Sequence, residues 1–234
     1  MAATETTTFE SELAAAARLD MRRNPFIGAM TAGRCSRDVV RRYAAGVFSF
    51  AETFPQLLLA IASRCDDREV RLALLENLME EEGIVAIDGG HFVVDESRRH
   101  PALARRFAHA AGVSDDDLRA AAAAAPVAAK WLHGAIAADR VAAALAYVTI
   151  GFEANTPATM ILLASALEKN YGFASHDLEF LTAHVEADAG HAAAGLRLTA
   201  RIARDDAARA DAIRGAHRGA AAWWWWHRSL MQVR

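Results

Sequence analysis

From Phe9 almost to the end of the chain, apolar residues recur with the period of a helix, and no stretch shows the alternation of a half-buried strand. That pattern restricts the chain to an all-α fold. Asn24-Pro25 ends an Ala/Leu-rich stretch running from Phe9 to Arg23, and Ser36-Arg37-Asp38 caps a long helix through Tyr43, Phe50 and Leu58. Asp66 and Asp67 open a helix that runs to Glu82 and stops at Gly83. The period fails from Ile84 to Arg99, where Gly89-Gly90 marks a loop or short hairpin, and resumes at His100-Pro101. Ser114 with Asp115, Asp116 and Asp117 forms another helix start, and the Ala-rich run behind it ends at Pro126. Further helical stretches cover Val127 to Thr149, Glu153 to Leu167, Ser175 to Thr199, and Asp205 onward. No repeat or interdomain linker interrupts them. Residues 1–234 therefore read as a single domain, a bundle of seven or eight helices whose interior can hold a site built from facing side chains.

Composition narrows the function classes. A chain of 234 residues with 53% hydrophobic and 24% charged content buries a sizeable core and is not disordered. A net charge of −3 offers no general attraction to phosphate backbones or anionic lipid, so neither nucleic acid nor a membrane surface is an expected partner. Met1 to Glu10 is acidic and Thr-rich where a signal peptide is basic and then apolar, and no apolar run reaches membrane-spanning length. Cys35 and Cys65 stand too far apart in sequence to suggest a disulfide framework or a thiolate metal site. A reducing cytoplasm is the expected location.

The sharpest local feature is His184-x3-Asp188-x2-His191. On a helix, Asp188 lies about 40° and His191 about 20° around the axis from His184, so all three project one way. Two imidazoles and a carboxylate on one stripe suit iron or manganese with open positions. Acidic residues also crowd the segment from Glu76 to Glu82, at a helix C-terminus where negative charge opposes the helix dipole unless a cation compensates. Glu153 sits within the apolar run from Tyr147 to Ala154, where a carboxylate is costly to bury unless paired or metal-bound. Together these groups supply the bridging carboxylates and capping imidazoles that a dinuclear iron site needs, with one further histidine wanted near the acidic turn. His91 and His100 both qualify by proximity, whereas His109, His133, His176, His217 and His227 lack comparable partners.

These residues resemble a known family, the haem-oxygenase-like dinuclear-metal oxidases and oxygenases, related in fold to pyrroloquinoline-quinone synthase and the thiaminase II group. The matching segments are Phe54-Pro55, Leu74 to Gly83, His100 to Phe107, Glu153 and the His184 motif, spread over about Tyr43 to Gly195. The resemblance implies metal ligation by Glu81, His100, Glu153, His184, Asp188 and His191. Glu81 to His100 is a longer interval than the family usually shows, so His91 competes, although the Leu-x2-Arg-Phe pattern accompanies His100. Glu52, about a turn before Phe54-Pro55, is a candidate additional carboxylate ligand.

Absences narrow the branch. No cysteine lies beside the Glu153 or His184 segments, which weakens a thiaminase reading, and the intact carboxylate and histidine set argues against the metal-free quinone-synthase branch. The branch that makes p-aminobenzoate from its own side chains uses a lysine shortly after the Glu corresponding to Glu153. Here no lysine precedes Lys169 in that region, so self-sacrifice is not expected. The resemblance then implies an enzyme with two irons per chain, or manganese, that takes dioxygen as co-substrate and electrons from an external donor to oxidise a small molecule. N-oxygenation of a small amine in secondary metabolism is the expected reaction. Oxidative C–C cleavage of an amino or fatty acid, and a metal-free oxidase or small-molecule-binding protein, are the alternatives. Phe50, Phe54, Tyr147 and Phe152 are candidate pocket walls, each more readily read as core. The run Trp223 to Trp226 cannot share one helical face, so part of it meets core and part meets a partner or solvent, which favours a homodimer.

Overall fold

In the computed structural model, which describes residues 2–121 and 140–232, several helices begin where a short polar side chain accepts from a free backbone N–H. The first stretch is not the single helix over 9–23 that the period predicts. α1 (Ala2–Ala17) stops early, a 3-10 turn follows at Met21–Arg23, and α2 (Pro25–Thr31) restarts. The cause is local: Asp20 accepts from the Arg22 N–H, and Asn24 accepts from the Phe26 N–H with Pro25 opening α2.

α3 (Arg37–Ala62) is capped by Ser36, and α4 (Arg68–Glu81) by Asp67, which accepts from both Glu69 and Val70. α3 has the length and hydropathy of a membrane span, contrary to the expectation that no stretch does, but half of that window is buried inside the protein, so it serves as the core helix. Gly83 ends α4 at φ +65°, and a Cβ there would meet the Asp95 carbonyl oxygen at 2.5 Å. The irregular stretch is the expected hairpin: β1 (Ile84–Ile87) pairs antiparallel with β2 (His91–Val94), Ile84 opposite Val94 and Ile87 opposite His91.

α5 (His100–Ala110) follows, and α6 opens at residue 115 behind a reciprocal cap. Ser114 Oγ accepts from the Asp117 N–H at 3.1 Å while the Asp117 carboxylate accepts from the Ser114 N–H at 3.3 Å. The end of the Ala-rich run at Pro126, the restart at Val127 and His133 lie outside the described residues.

Beyond that, one continuous coil changes winding three times: α7 (Val141–Leu145), a π-helical stretch (Ala146–Phe152), a 3-10 turn (Glu153–Asn155) and α8 (Thr156–Tyr171). The expected break between Thr149 and Glu153 is this change of winding. α9 (Glu179–Ile202) and α10 (Asp206–Ser229) complete the bundle.

Two apolar clusters hold these elements. The larger gathers Phe26, Tyr43, Phe48, Leu58, Phe107 and Leu163 from α2, α3, α5 and α8. The smaller is built of small side chains, with Phe9, Leu13 and Ile150 packed on Ala212, Ala216 and Ala220 of α10. There the backbones come into near contact: a Cβ on Gly219 would run into the Tyr147 carbonyl, and one on Gly151 would meet the Gly219 Cα at 2.6 Å. α10 thereby clamps the π-helical stretch from behind.

Candidate metal centre

Four elements deliver the six residues that the family resemblance implies as ligands. α4 contributes Glu81 from its last turn, α5 contributes His100 as its first residue, and the junction of the π-helical and 3-10 segments contributes Glu153. α9 contributes His184, Asp188 and His191 along one stripe. They form two groups of three. Ligand atoms of Glu81, His100 and His184 lie within 4.8 Å of one another, and so do those of Glu153, Asp188 and His191. The stripe on α9 is thus divided, its first histidine serving one group and its other two residues the second. Single-turn π segments are frequent at functional sites because the inserted residue re-aims the side chains that follow. Here the change of winding leaves Glu153 only 3% exposed, facing Asp188 and His191.

The hydrogen bonding around the groups is specific yet incomplete. Asn77 Nδ2 donates to Glu153 Oε1 at 2.7 Å, and His184 Nδ1 donates to the Phe180 carbonyl at 2.6 Å, which leaves its Nε2 free to face the site. His191 sits between carboxylates, with Nε2 3.5 Å from Glu80 and Nδ1 3.5 Å from Asp188 and 3.8 Å from Glu153. His100 Nδ1 lies 2.7 Å from Glu81 Oε2. Even so, Glu153 Oε2, His100 Nδ1, His191 Nδ1 and Asn77 Oδ1 are buried without a hydrogen-bond partner of acceptable geometry. Buried polar atoms are normally satisfied, so orphans in both groups, His100 Nδ1 in one and Glu153 Oε2 with His191 Nδ1 in the other, fit a cation held by each. Three carboxylates and three imidazoles are donors suited to iron or manganese.

Charge balance supports the same fit. Burial, with the Asp188 charge added, pushes the Glu153 carboxyl up to about 8. Burial opposes charge on His191, but the close carboxylates of Asp188 and Glu80 outweigh it and carry that imidazole to about 10. His100 moves up likewise, burial being outweighed by the Glu81 charge, while burial holds His184 below its ordinary value. Without a cation, the cluster takes up protons in its place.

The remaining candidates separate cleanly. His91 opens β2 and is exposed, outside both groups, so the structure favours His100. Glu52 is exposed on α3 and belongs to neither group. His109 pairs with Asp115 at the surface, and His227 is fully buried. Asn77 and Glu80 are partners that the sequence reading did not single out. Asn77 stands one turn before Glu81 on the same helix face, and that spacing was the available signal.

An apolar cavity of about 40 Å³ opens onto Glu81, Glu153, His184 and Asp188. Phe50, Phe54 and Phe152, for which core is the favoured reading of the sequence, line it, whereas Tyr147 stands behind Phe152 at 4.9 Å between ring centroids. Trp223 and Trp226 of α10 close its far side.

An all-α bundle with carboxylate and imidazole triads facing one another in its core defines the class of haem-oxygenase-like metalloproteins. The chain belongs to the family of iron-containing redox enzymes, whose family model matches residues 41–224. It is 33% identical over 193 residues to a protein of Chlamydia muridarum named 4-aminobenzoate synthase, a match covering 80% of this chain and 75% of that one. Among solved structures, a TenA homolog from Pseudomonas syringae superposes with a TM-score of 0.72 at 15% identity, covering 99% of this chain and 93% of that chain. A domain with a heme oxygenase-like fold from Shewanella denitrificans superposes with a TM-score of 0.67 at 12% identity, covering 97% of this chain and 89% of that one. These structural likenesses establish the all-α haem-oxygenase-like fold.

Proposed function

We propose that the chain is a non-haem dinuclear iron enzyme that activates dioxygen to oxidise a small molecule, with Glu81, His100 and His184 holding one metal and Glu153, Asp188 and His191 the other. The observation that carries this reading is the pair of three-residue groups, each within 4.8 Å, beside an apolar cavity. Two ferrous ions there would supply the electrons that reduce dioxygen, and manganese fits the same donors. The protein's own part is to orient and to exclude water. Asn77 holds one oxygen of Glu153 and leaves the other free. The Phe180 carbonyl fixes the His184 tautomer, and the phenyl walls keep the cavity dry.

The reaction we infer is N-oxygenation of a small amine, with electrons returned by an external donor. The walls bind the apolar body of such a molecule and leave its nitrogen turned toward the side of the cavity formed by the metal-holding Glu81, Glu153, His184 and Asp188. A benzene-sized guest needs a cavity of roughly 150 Å³. At about 40 Å³ the cavity admits substrate only when half-buried Phe50 or Trp226 swings aside.

Formation of 4-aminobenzoate, after the name of the Chlamydia muridarum relative, is the second reading. A lysine donor for it is missing from the described site: α8 turns Thr159, Met160 and Leu163 inward, and Lys169 is exposed. Product analysis under isotopically labelled dioxygen discriminates the two. Label bound to nitrogen of an added amine is the expected result, and 4-aminobenzoate formed with no amine added contradicts it.

A further inference from the structure

We propose that Trp223 and Trp226 form a hole-conducting path from the cavity to the surface, which drains oxidising equivalents generated at the metal centre when no substrate is bound. The proposal rests on the dioxygen-activating reading above. Most rings around the cavity are phenylalanines, which resist one-electron oxidation, and the indoles of Trp223 and Trp226 are the readily oxidised exceptions among its lining rings. Trp223 is buried and packs on Phe152, the neighbour of Glu153, at 6.0 Å between ring centroids. Trp226 lies 5.6 Å from Trp223 with the rings inclined by 34°, and it is half-buried, so the pair leads outward. Gly46 of α3 leaves the space that the Trp226 ring fills, with its Cζ2 3.3 Å from where a Cβ would stand.

The surroundings favour a positive hole on these two rings over Tyr43 and Trp225. His227 packs edge-on to both, at 4.6 Å from Trp223 and 4.5 Å from Trp226. Its Nδ1 donates to the Trp223 carbonyl, and burial lowers its pKa to about 4, so it sets no positive charge beside them. Tyr43 lies 5.9 Å from Trp226, but among the described residues its hydroxyl hydrogen-bonds the Met160 thioether, at 3.9 Å, and not a base that would take the phenolic proton. Trp225 is exposed, yet the Arg228 guanidinium stands 4.9 Å over its ring and opposes a second positive charge. The exit is therefore Trp226.

The electron balance is simple. Trp223 gives one electron to the oxidised centre and becomes a radical cation, and Trp226 refills it with one electron. A one-electron reductant in solution then refills Trp226; ascorbate would do so by losing one electron and one proton. Without ascorbate, the Trp226 radical cation loses its indole N–H proton to water, and the neutral radical adds dioxygen at carbon to give a peroxyl radical, which takes one electron from a further ferrous ion and one proton from water to end as a hydroperoxide.

The test is to react the ferrous-loaded full chain with dioxygen, no substrate added, and to follow freeze-quenched electron paramagnetic resonance and peptide mass spectra. A tryptophan-type radical and oxygen added at Trp226 are expected, both abolished by ascorbate. Trp223→Phe should lose the modification at Trp226, Trp226→Phe should shift it to Trp223, and Trp225→Phe should change neither. Trp226→Phe keeps the test decisive should Trp223→Phe, in the core, fail to fold. Oxygen added at Trp225 as readily as at Trp226, oxidation of Met160 alone, or unmodified tryptophans in protein that binds iron and consumes dioxygen would each overturn the path while leaving the enzyme reading intact. Protein that retains no iron overturns both.

Discussion

A carboxyl group buried against Asp188 and held by Asn77 keeps its proton to about pH 8 in the metal-free protein, and this has a measurable consequence for stability. Glu153 is raised from 4.5, so between 4.5 and about 8 the folded chain binds the extra proton and stability falls as pH rises. His191, raised from 6.5 to about 10, acts in the same direction above 6.5. His227, lowered from 6.5 to about 4, acts oppositely, but only below 6.5. Metal-free protein is therefore expected to melt at falling temperature between pH 6.5 and 8, with a shallower slope in Glu153→Gln, whereas a flat or rising profile contradicts the assignment. Asn77→Ala should lower metal affinity about ten- to a hundredfold, read by chelator competition, because the carboxylate loses its orienting donor. All six proposed ligands were legible from residue types and spacing read with a family resemblance. Asn77 and Glu80 were not, since the one-turn spacing of Asn77 before Glu81 is common on any helix and a half-exposed acid among other acids does not stand out.

Helix starts were readable because their physics is local. Ser36, Asp67 and Ser114 each cap the helix predicted from them, and Gly83 stops α4 where a positive φ is required. The break after Ala17 and the winding changes between Ala146 and Asn155 were not readable as such. A π-helical stretch has no composition of its own, and this one is held by tertiary packing, with Gly151 and Gly219 letting two backbones touch. Gly219→Ala drives a methyl group into the Tyr147 carbonyl. It should cost about 1–3 kcal/mol in urea unfolding. It should also weaken metal binding through displacement of Glu153. Loss of stability with unchanged metal affinity would separate the clamp from the site.

Across the whole molecule, the bundle class followed from periodicity, while the pairing of helices followed only from the resemblance, because period alone does not say which apolar faces meet. The Trp run shows the same limit. Trp223 is core, Trp224 and Trp226 are half-buried, and only Trp225 is freely exposed, at 56%. If the chain dimerises through α10, as we propose, Trp225→Arg should convert a sedimenting dimer to monomer, and a wild-type chain that sediments as monomer contradicts that interface. Truncation after Ala222 would instead remove core residues Trp223 and His227 and test folding.

The central claim concerns two metals in one bundle, and metal stoichiometry after anaerobic ferrous loading tests it most directly. The comparison is between the native chain and a His184→Ala/Asp188→Ala double variant, which removes one ligand from each group. About two irons per native chain, retained after loose metal is stripped and lost from a folded double variant, is the predicted result. No iron retained by the native chain even at high free ferrous concentration, or equal retention by both proteins, would contradict the account.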